Sequence, residues 1–351
     1  MNAEWRAVLE TAGAALAADR VADFGRADAE LRAALSGDIR CDLSHLGLIA
    51  VRGPDSEAFL QGQLTCDVRH VTPERSSLGA YCSPKGRVLA CFRLFRRGDD
   101  FCLELPRPLV EPTLARLRKY VLRAKTTLDD ASDALVRIGV AGPDAARRLA
   151  AHVTDSVTGM AAGDVRQADQ MTVLRLPGAI PRYELHGPVP ALRAAWDALG
   201  PDLVSVGAEA WRLLDVLAGT PTVYSETVEA FVPQMLNLDV LDGIGFKKGC
   251  YTGQEVVART HYLGKLKRRM VLARTESPAP PRPGDPLFSP QADASQSAGR
   301  LVDACQHPDG SYAVLAVALI ECAERGTLHL GDAGGPQLRL ESLPYGLEPA
   351  A

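Results

Sequence analysis

Apolar positions along this chain come in short alternating or continuous runs, cut by glycine and proline into pieces of strand or helix length. Residues 1–36 are alanine-rich and read as helix, with an amphipathic stretch ending near Gly37. Leu43 through Val51 is an apolar run of strand length, after which Gly53-Pro54-Asp55 turns into a helix bearing Phe59 and Leu60. Apolar residues from Tyr81 to Phe95 flank Pro84-Lys85-Gly86, which predicts a hairpin, and Phe101–Leu105 predicts a further strand. Pro112 falls in the first turn of a helix whose Leu114, Leu117 and Val121 line one face, with basic residues on the other. Leu135–Val140 runs as a strand into Gly142-Pro143-Asp144 and a helix. This repeats weakly the earlier order of strand, Gly-Pro-Asp turn and helix.

Residues 209–218 read as helix ending at Gly219, and the proline-rich run 277–284 marks a loop or domain boundary. Short strands with polar turns follow at Gly299–Ala304, Tyr312–Leu319, Thr327–Leu330 and Gln337–Leu340, the pattern of a small antiparallel barrel or sandwich. The fold class is therefore α+β with an all-β tail.

Length and composition place the chain among soluble globular proteins of two or three domains: 351 residues, 46% hydrophobic and 23% charged. No apolar run approaches the ~20 residues of a membrane span. Glu4, Glu10 and Asp19 remove the character of a transit or signal peptide, so a cytoplasmic location without membrane association is expected. The net charge of −4 conceals three basic islands, Lys85–Arg97, Arg116–Lys125 and Lys247–Arg269. Together they point to an anionic ligand, a polycarboxylate or RNA; with no RNA-recognition motif the smaller anion is favoured. Eight cysteines contain no C-x-x-C pair, which argues against a zinc knuckle or ferredoxin motif and makes most of them reduced core residues. Phosphate-binding loops, H-E-x-x-H and G-x-S-x-G are absent from the sequence.

The most informative stretch is Lys248-Gly249-Cys250-Tyr251-Thr252-Gly253-Gln254-Glu255. Thr252 and Glu255 have the spacing of a capping box ahead of Val256 and Val257, which would place Cys250 just outside a helix N-terminus. There the positive end of the helix, with Lys247 and Lys248, favours a thiolate. His261, eleven residues on, leaves a Cys–His arrangement open.

This octapeptide resembles the signature of the YgfZ family, folate-binding proteins linked to iron–sulfur cluster assembly and repair. Phe59–Val68, Ser83–Arg87, Phe231–Leu238 and Leu343–Tyr345 resemble other segments of that family, so the similarity spans essentially the whole chain. The family shares the fold of the glycine cleavage aminomethyltransferase (T-protein). The resemblance therefore implies three domains around a central opening: residues 1–130 in a folate-binding α+β region, 131–270 in a central region carrying the cysteine motif, and 271–351 in a small β-barrel. It also implies a tetrahydrofolate cofactor, with Trp211 and the position occupied by Leu46 against the pterin. Arg212, Gln234, Asn237 and Tyr251 complete the implied folate site. Cys250 is then the functional thiol and Lys248 its support. Iron–sulfur enzymes or cluster-assembly proteins are the implied partners, with tRNA reached through the enzymes that modify it. The transferases carry an acidic pair after the hairpin glycine, where this chain reads Gly86-Arg87-Val88-Leu89-Ala90-Cys91. That departure argues against glycine cleavage; a folate-dependent one-carbon transferase and a tRNA-binding module are the alternatives.

Overall fold

A computed structural model describes residues 1–264, 266–292 and 297–347. The chain divides into two compact units. The first comprises residues 1–59, 69–77 and 93–214; the second comprises 60–68, 78–92 and 215 onward.

A six-stranded sheet forms the centre of the first unit, in the order Val165–Ala168, Met171–Leu176, Arg182–Gly187, Val136–Ala141, Ile39–Asp42 and Val204–Val206. Its pairings are antiparallel except the last, where Val204–Val206 runs parallel to Ile39–Asp42. Helices Ala3–Thr11, Ala145–His152 and Val189–Leu199 cover it, burying Trp5, Leu149, Leu192 and Trp196 with Ile138, Val140 and Leu185 of the strands. Trp5 and Trp196 meet edge to face at 5.9 Å. Antiparallel pairing of Leu46–Arg52 with Asp100–Pro106 and Thr127–Asp130, and of Arg93–Arg97 with Asp100–Glu104, builds further sheet in the same unit.

One buried carboxylate divides a run that the sequence presents as continuous. Asp42 accepts from the Trp5 indole at 2.7 Å, from the Ser44 hydroxyl at 2.8 Å and from the Ser44 amide at 3.1 Å. The turn this creates ends one strand at Asp42 and starts the next at Leu46, where a single strand from Leu43 was expected. The expected N-terminal helix is also interrupted. Gly13 at φ +89° and Ala18 at φ +55° allow Ala15–Ala17 to fold back on Arg20–Asp23, and Val21 becomes fully buried. Burial at Val21 outweighs the helix preference of the alanines. The second helix resumes at Ala27–Ser36. Downstream, the helix containing Pro112 stops at Arg118 and leaves Val121 outside it.

The two Gly-Pro-Asp turns are alike in detail. Gly53 has φ +119° and Gly142 has φ +139°, and a Cβ at either would meet an oxygen at 2.2 Å, Lys125 O or Asp38 Oδ1. Each turn starts a helix, Ser56–Gln61 or Ala145–His152.

In the second unit a six-stranded antiparallel sheet is ordered His329–Leu330, Pro286–Phe288, Gly299–Gln306, Tyr312–Leu319, Arg268–Thr275 and Arg339–Glu341. It curls into a half-barrel, and a bridge between His329 and Gln337 draws its edges together. Leu301, Val314, Ala316, Leu328 and Leu338 fill the interior. The proline run is the loop between its strands Arg268–Thr275 and Pro286–Phe288. Between Leu217 and Gln254 the chain is held by short 3-10 turns and specific polar contacts. Among the described residues, no helix is long and apolar enough to cross a membrane.

Gly142→Ala is expected to lower the unfolding free energy by about 2–4 kcal/mol, because strained backbone and lost space act together. Gly13→Ala has the same sign of φ but open space around it, and is expected to cost about 1 kcal/mol. Urea unfolding of the two variants measures the difference; equal losses would show that the Asp38 contact is immaterial.

Candidate functional site

Four separated sequence motifs of the second unit meet around the Cys250 loop. The hairpin Ser83–Arg87 closes through Gly86 N to Ser83 O at 2.9 Å and Ser83 N to Arg87 O at 2.8 Å. Gly86 has φ +66°, and a Cβ there would lie 2.8 Å from Val256 Cβ. Gly253 has φ +81°, and a Cβ there would lie 2.5 Å from Ser83 O and 2.8 Å from Gly86 Cα. Hairpin and loop can approach this closely only because both positions are glycine.

Lys248 fastens the other side. Its ammonium donates to Leu64 O and Cys66 O, each at 2.7 Å, and lies 5.1 Å from the centre of the Tyr251 ring. Thr65, between those carbonyls, donates its hydroxyl to Gly243 O at 2.7 Å and accepts from Ala80 N at 2.8 Å, while its own carbonyl receives Gly245 N at 2.8 Å. Gln61 bridges Asp67 Oδ1 at 2.9 Å and Val68 N at 2.8 Å. The segment resembling Phe59–Val68 of the family thus supplies the acceptors for Lys248 and the frame that aims them. Burial pushes the Tyr251 phenol above its ordinary pKa, so it stays protonated beneath the ammonium.

The Phe231–Leu238 segment braces the helix behind the loop. Gln234 donates to Val257 O at 2.7 Å, and Val88 N donates to Phe231 O at 2.9 Å. Asn237 takes the left-handed conformation at φ +58° and donates to Met270 O at 2.9 Å. Arg269 clasps Asp239 through two bonds of 3.0 and 2.8 Å. Tyr345 donates to Gly219 O at 2.8 Å. Gln234 and Asn237 are buried members of this frame.

Cys250 is left on the outside. It is exposed, whereas the other seven cysteines are buried. Burial pushes the thiols of Cys82 and Cys102 up to about 12, so they remain inert. The helix after the loop runs Gln254–Tyr262 with Gly253 at its N-cap and no side-chain cap. The Thr252–Glu255 capping box is therefore not formed. Gln254 Oε1 instead receives Tyr251 N at 3.3 Å, and Glu255 pairs with Arg259 at 2.7 Å. The glycine at φ +81° takes the N-cap position itself, which moves Thr252 one residue outside the helix start. His261 stacks on Phe246 at 3.8 Å and 17°. Among the described residues, no hydrogen bond links it to Cys250.

Trp211, Arg212 and Leu46 belong to the first unit. Trp211 is fully buried on helix Ala208–Leu217, its ring against Gly139, where a Cβ would meet it at 2.5 Å, with Arg182 5.7 Å from the ring centre. Among the described residues, the indole Nε1 has no hydrogen-bond partner. Arg212 pairs with Glu209 at 2.6 Å, and the Leu46 carbonyl receives Arg137 at 2.6 Å. Many arginines of the basic islands are engaged locally: Arg87 with Ala230 O, Arg97 with Thr172 and Gln170, Arg118 with Leu128 O, Arg268 with Ser297 O. Lys265 of the third island lies outside the described residues.

Sequence reasoning missed one polar cluster, Glu104, Glu184 and His186, which is buried in the first unit. The available signal was the Glu-x-His alternation at 184–186, which puts both side chains on one face of a strand.

Residues 7–243 match the family of the GCVT N-terminal domain. The tRNA-modifying protein YgfZ of Sodalis glossinidius is 36% identical over 309 residues, covering 87% of this chain and 92% of that protein. Its counterpart in Klebsiella pneumoniae is 35% identical over 311 residues, covering 88% and 93%. The glycine cleavage system aminomethyltransferase T of Bartonella henselae aligns with a TM-score of 0.73 at 19% identity, over 98% of this chain and 97% of that one, and so shares the fold. The interlocked motifs around Cys250, the domain match and the near full-length identity lead to one assignment: the chain belongs to the YgfZ family, built on the aminomethyltransferase fold, whose curated relatives carry the name tRNA-modifying protein.

Proposed function

We propose that this chain is a tetrahydrofolate-binding accessory protein that supports iron–sulfur enzymes, among them enzymes that modify tRNA, with Cys250 as its working thiol. The observation that carries the proposal is the contrast at the loop: Lys248, Tyr251, Gly253 and Gln254 of the motif are packed or hydrogen-bonded into a frame, and the Cys250 thiol is exposed. A loop built only for stability has no use for a nucleophile at its open point. Lys248, Gln234, Asn237 and Tyr251 act in this reading by fixing the loop. Trp211, Arg212 and Leu46 serve the folate in the first unit. The buried Trp211 N–H without a partner supports that assignment, since a ligand acceptor would satisfy it.

The one-carbon transferase reading has less support. From Val88 to Cys91 the strand after the hairpin is wholly apolar and buried, and offers no carboxylate to take a proton or steady a cationic intermediate. Local engagement of the arginines likewise weakens the case for a broad RNA-binding face.

Calorimetric titration with tetrahydrofolate is expected to show saturable binding, weakened by about tenfold or more in Trp211→Phe, a change that keeps most of the buried volume. Absence of binding by the parent chain would overturn the folate assignment. Cys250→Ala is expected to leave the melting temperature within about 2 °C of the parent, as for most exposed sites, and to abolish rescue of iron–sulfur enzyme activity in cells lacking the protein. Full rescue would remove the thiol from the mechanism. Lys248→Met should behave in the opposite way and lower the unfolding free energy by about 2–3 kcal/mol, because two buried carbonyls lose their donor; chemical denaturation reads that loss directly.

A further inference from the structure

Glu184 and His186 project from one face of strand Arg182–Gly187, and Glu104 arrives from strand Asp100–Pro106. His186 Nε2 lies 3.5 Å from Glu104 Oε2 and 3.8 Å from Glu184 Oε2, and the side chains are 0%, 5% and 4% exposed. One ligand atom from each residue lies within 4.8 Å of the other two. Among the described residues, neither imidazole nitrogen, nor Glu104 Oε2, nor Glu184 Oε2 has a hydrogen bond of good geometry, so the three groups face one another at ion-pair distance only. Polar atoms buried to this degree are ordinarily better satisfied, which leaves them open to a further partner. The Phe95 ring packs on the imidazole at 4.7 Å and fixes its plane.

We propose that Glu104, Glu184 and His186 form a site for one divalent first-row transition-metal ion. Bonds of about 2.0–2.2 Å to a tetrahedral ion place its ligands roughly 3.3–3.6 Å apart, so the His186–Glu104 separation already fits and the His186–Glu184 separation needs to close by only a few tenths of an ångström. Two carboxylates and one imidazole suit zinc, manganese, iron(II) or cobalt. Binding of the ion releases to solvent any proton that the ligand atoms hold, and no electron is transferred. Arg137 Nε stands 4.0 Å from Glu104 Oε2, with its other nitrogens on Leu135 O and Leu46 O. That positive charge limits affinity and makes the ion exchangeable. The cluster adjoins the residues assigned to folate, since Arg137 bonds the Leu46 carbonyl and Gly139, against the Trp211 ring, pairs with Glu184; uptake of Co²⁺ in the absence of folate separates the two readings.

The test uses the full chain, stripped with chelator and dialysed against Co²⁺ alone. The expected result is one Co²⁺ per chain, with visible d–d absorption but no near-ultraviolet thiolate band. Affinity should fall about tenfold or more in Glu104→Gln and Glu184→Gln, and be unchanged in Cys250→Ser. No retained ion, retention indifferent to both glutamine variants, or a thiolate band lost in Cys250→Ser would each overturn it. Should the glutamine variants fail to fold, the parent chain decides: a Co²⁺-dependent rise in melting temperature without a thiolate band supports the site, and no rise sinks it.

Discussion

The ammonium of Lys248, taken out of water and set on the Leu64 and Cys66 carbonyls, is the contact on which the Cys250 loop depends. A buried cation costs several kcal/mol unless its donors are met, so the two carbonyls must be held in place before the lysine can enter. Thr65 does this from between them, tying its own segment to Gly243 and Ala80. Beyond the seated lysine the chain passes into open space before turning back in. Gly249 is followed by an exposed thiol, and Tyr251 turns inward beneath the charge.

The opposite flank is fixed by exclusion of volume. Gly86 and Gly253 bring two backbones within a distance that no side chain permits, and Gln234 ties the following helix to the segment beneath it. One flank is thus electrostatic and the other steric. Loop stability and the exposed thiol consequently belong to different residues.

Much of this was legible in the chain. The hairpin at Pro84–Gly86, the Gly-Pro-Asp turns, the helix at 209–218 and the β-rich tail follow from turn residues and short apolar runs, and the structure contains each. The octapeptide announced a site because glycine, lysine and cysteine are costly neighbours without a purpose. What stayed hidden had nonlocal causes. The turn at Asp42 requires Trp5, and the hairpin inside the alanine-rich start requires a pocket for Val21. Gly253 replaced the expected Thr252 cap because its backbone angle answers to Ser83, far away in sequence. The Glu104–Glu184–His186 cluster draws on two separated segments, and no spacing rule links them.

The close approach at Gly86 and Gly253 bears on how this motif is read in any set of sequences. A position can resist substitution because nothing else fits, and such invariance carries information about space alone. Both glycines are of that kind, and Lys248 is nearly so. Cys250 has no packing to protect, and therefore only a chemical demand could hold it constant. Space and chemistry thus make separate demands on the residues of this loop, and the three-dimensional arrangement tells them apart.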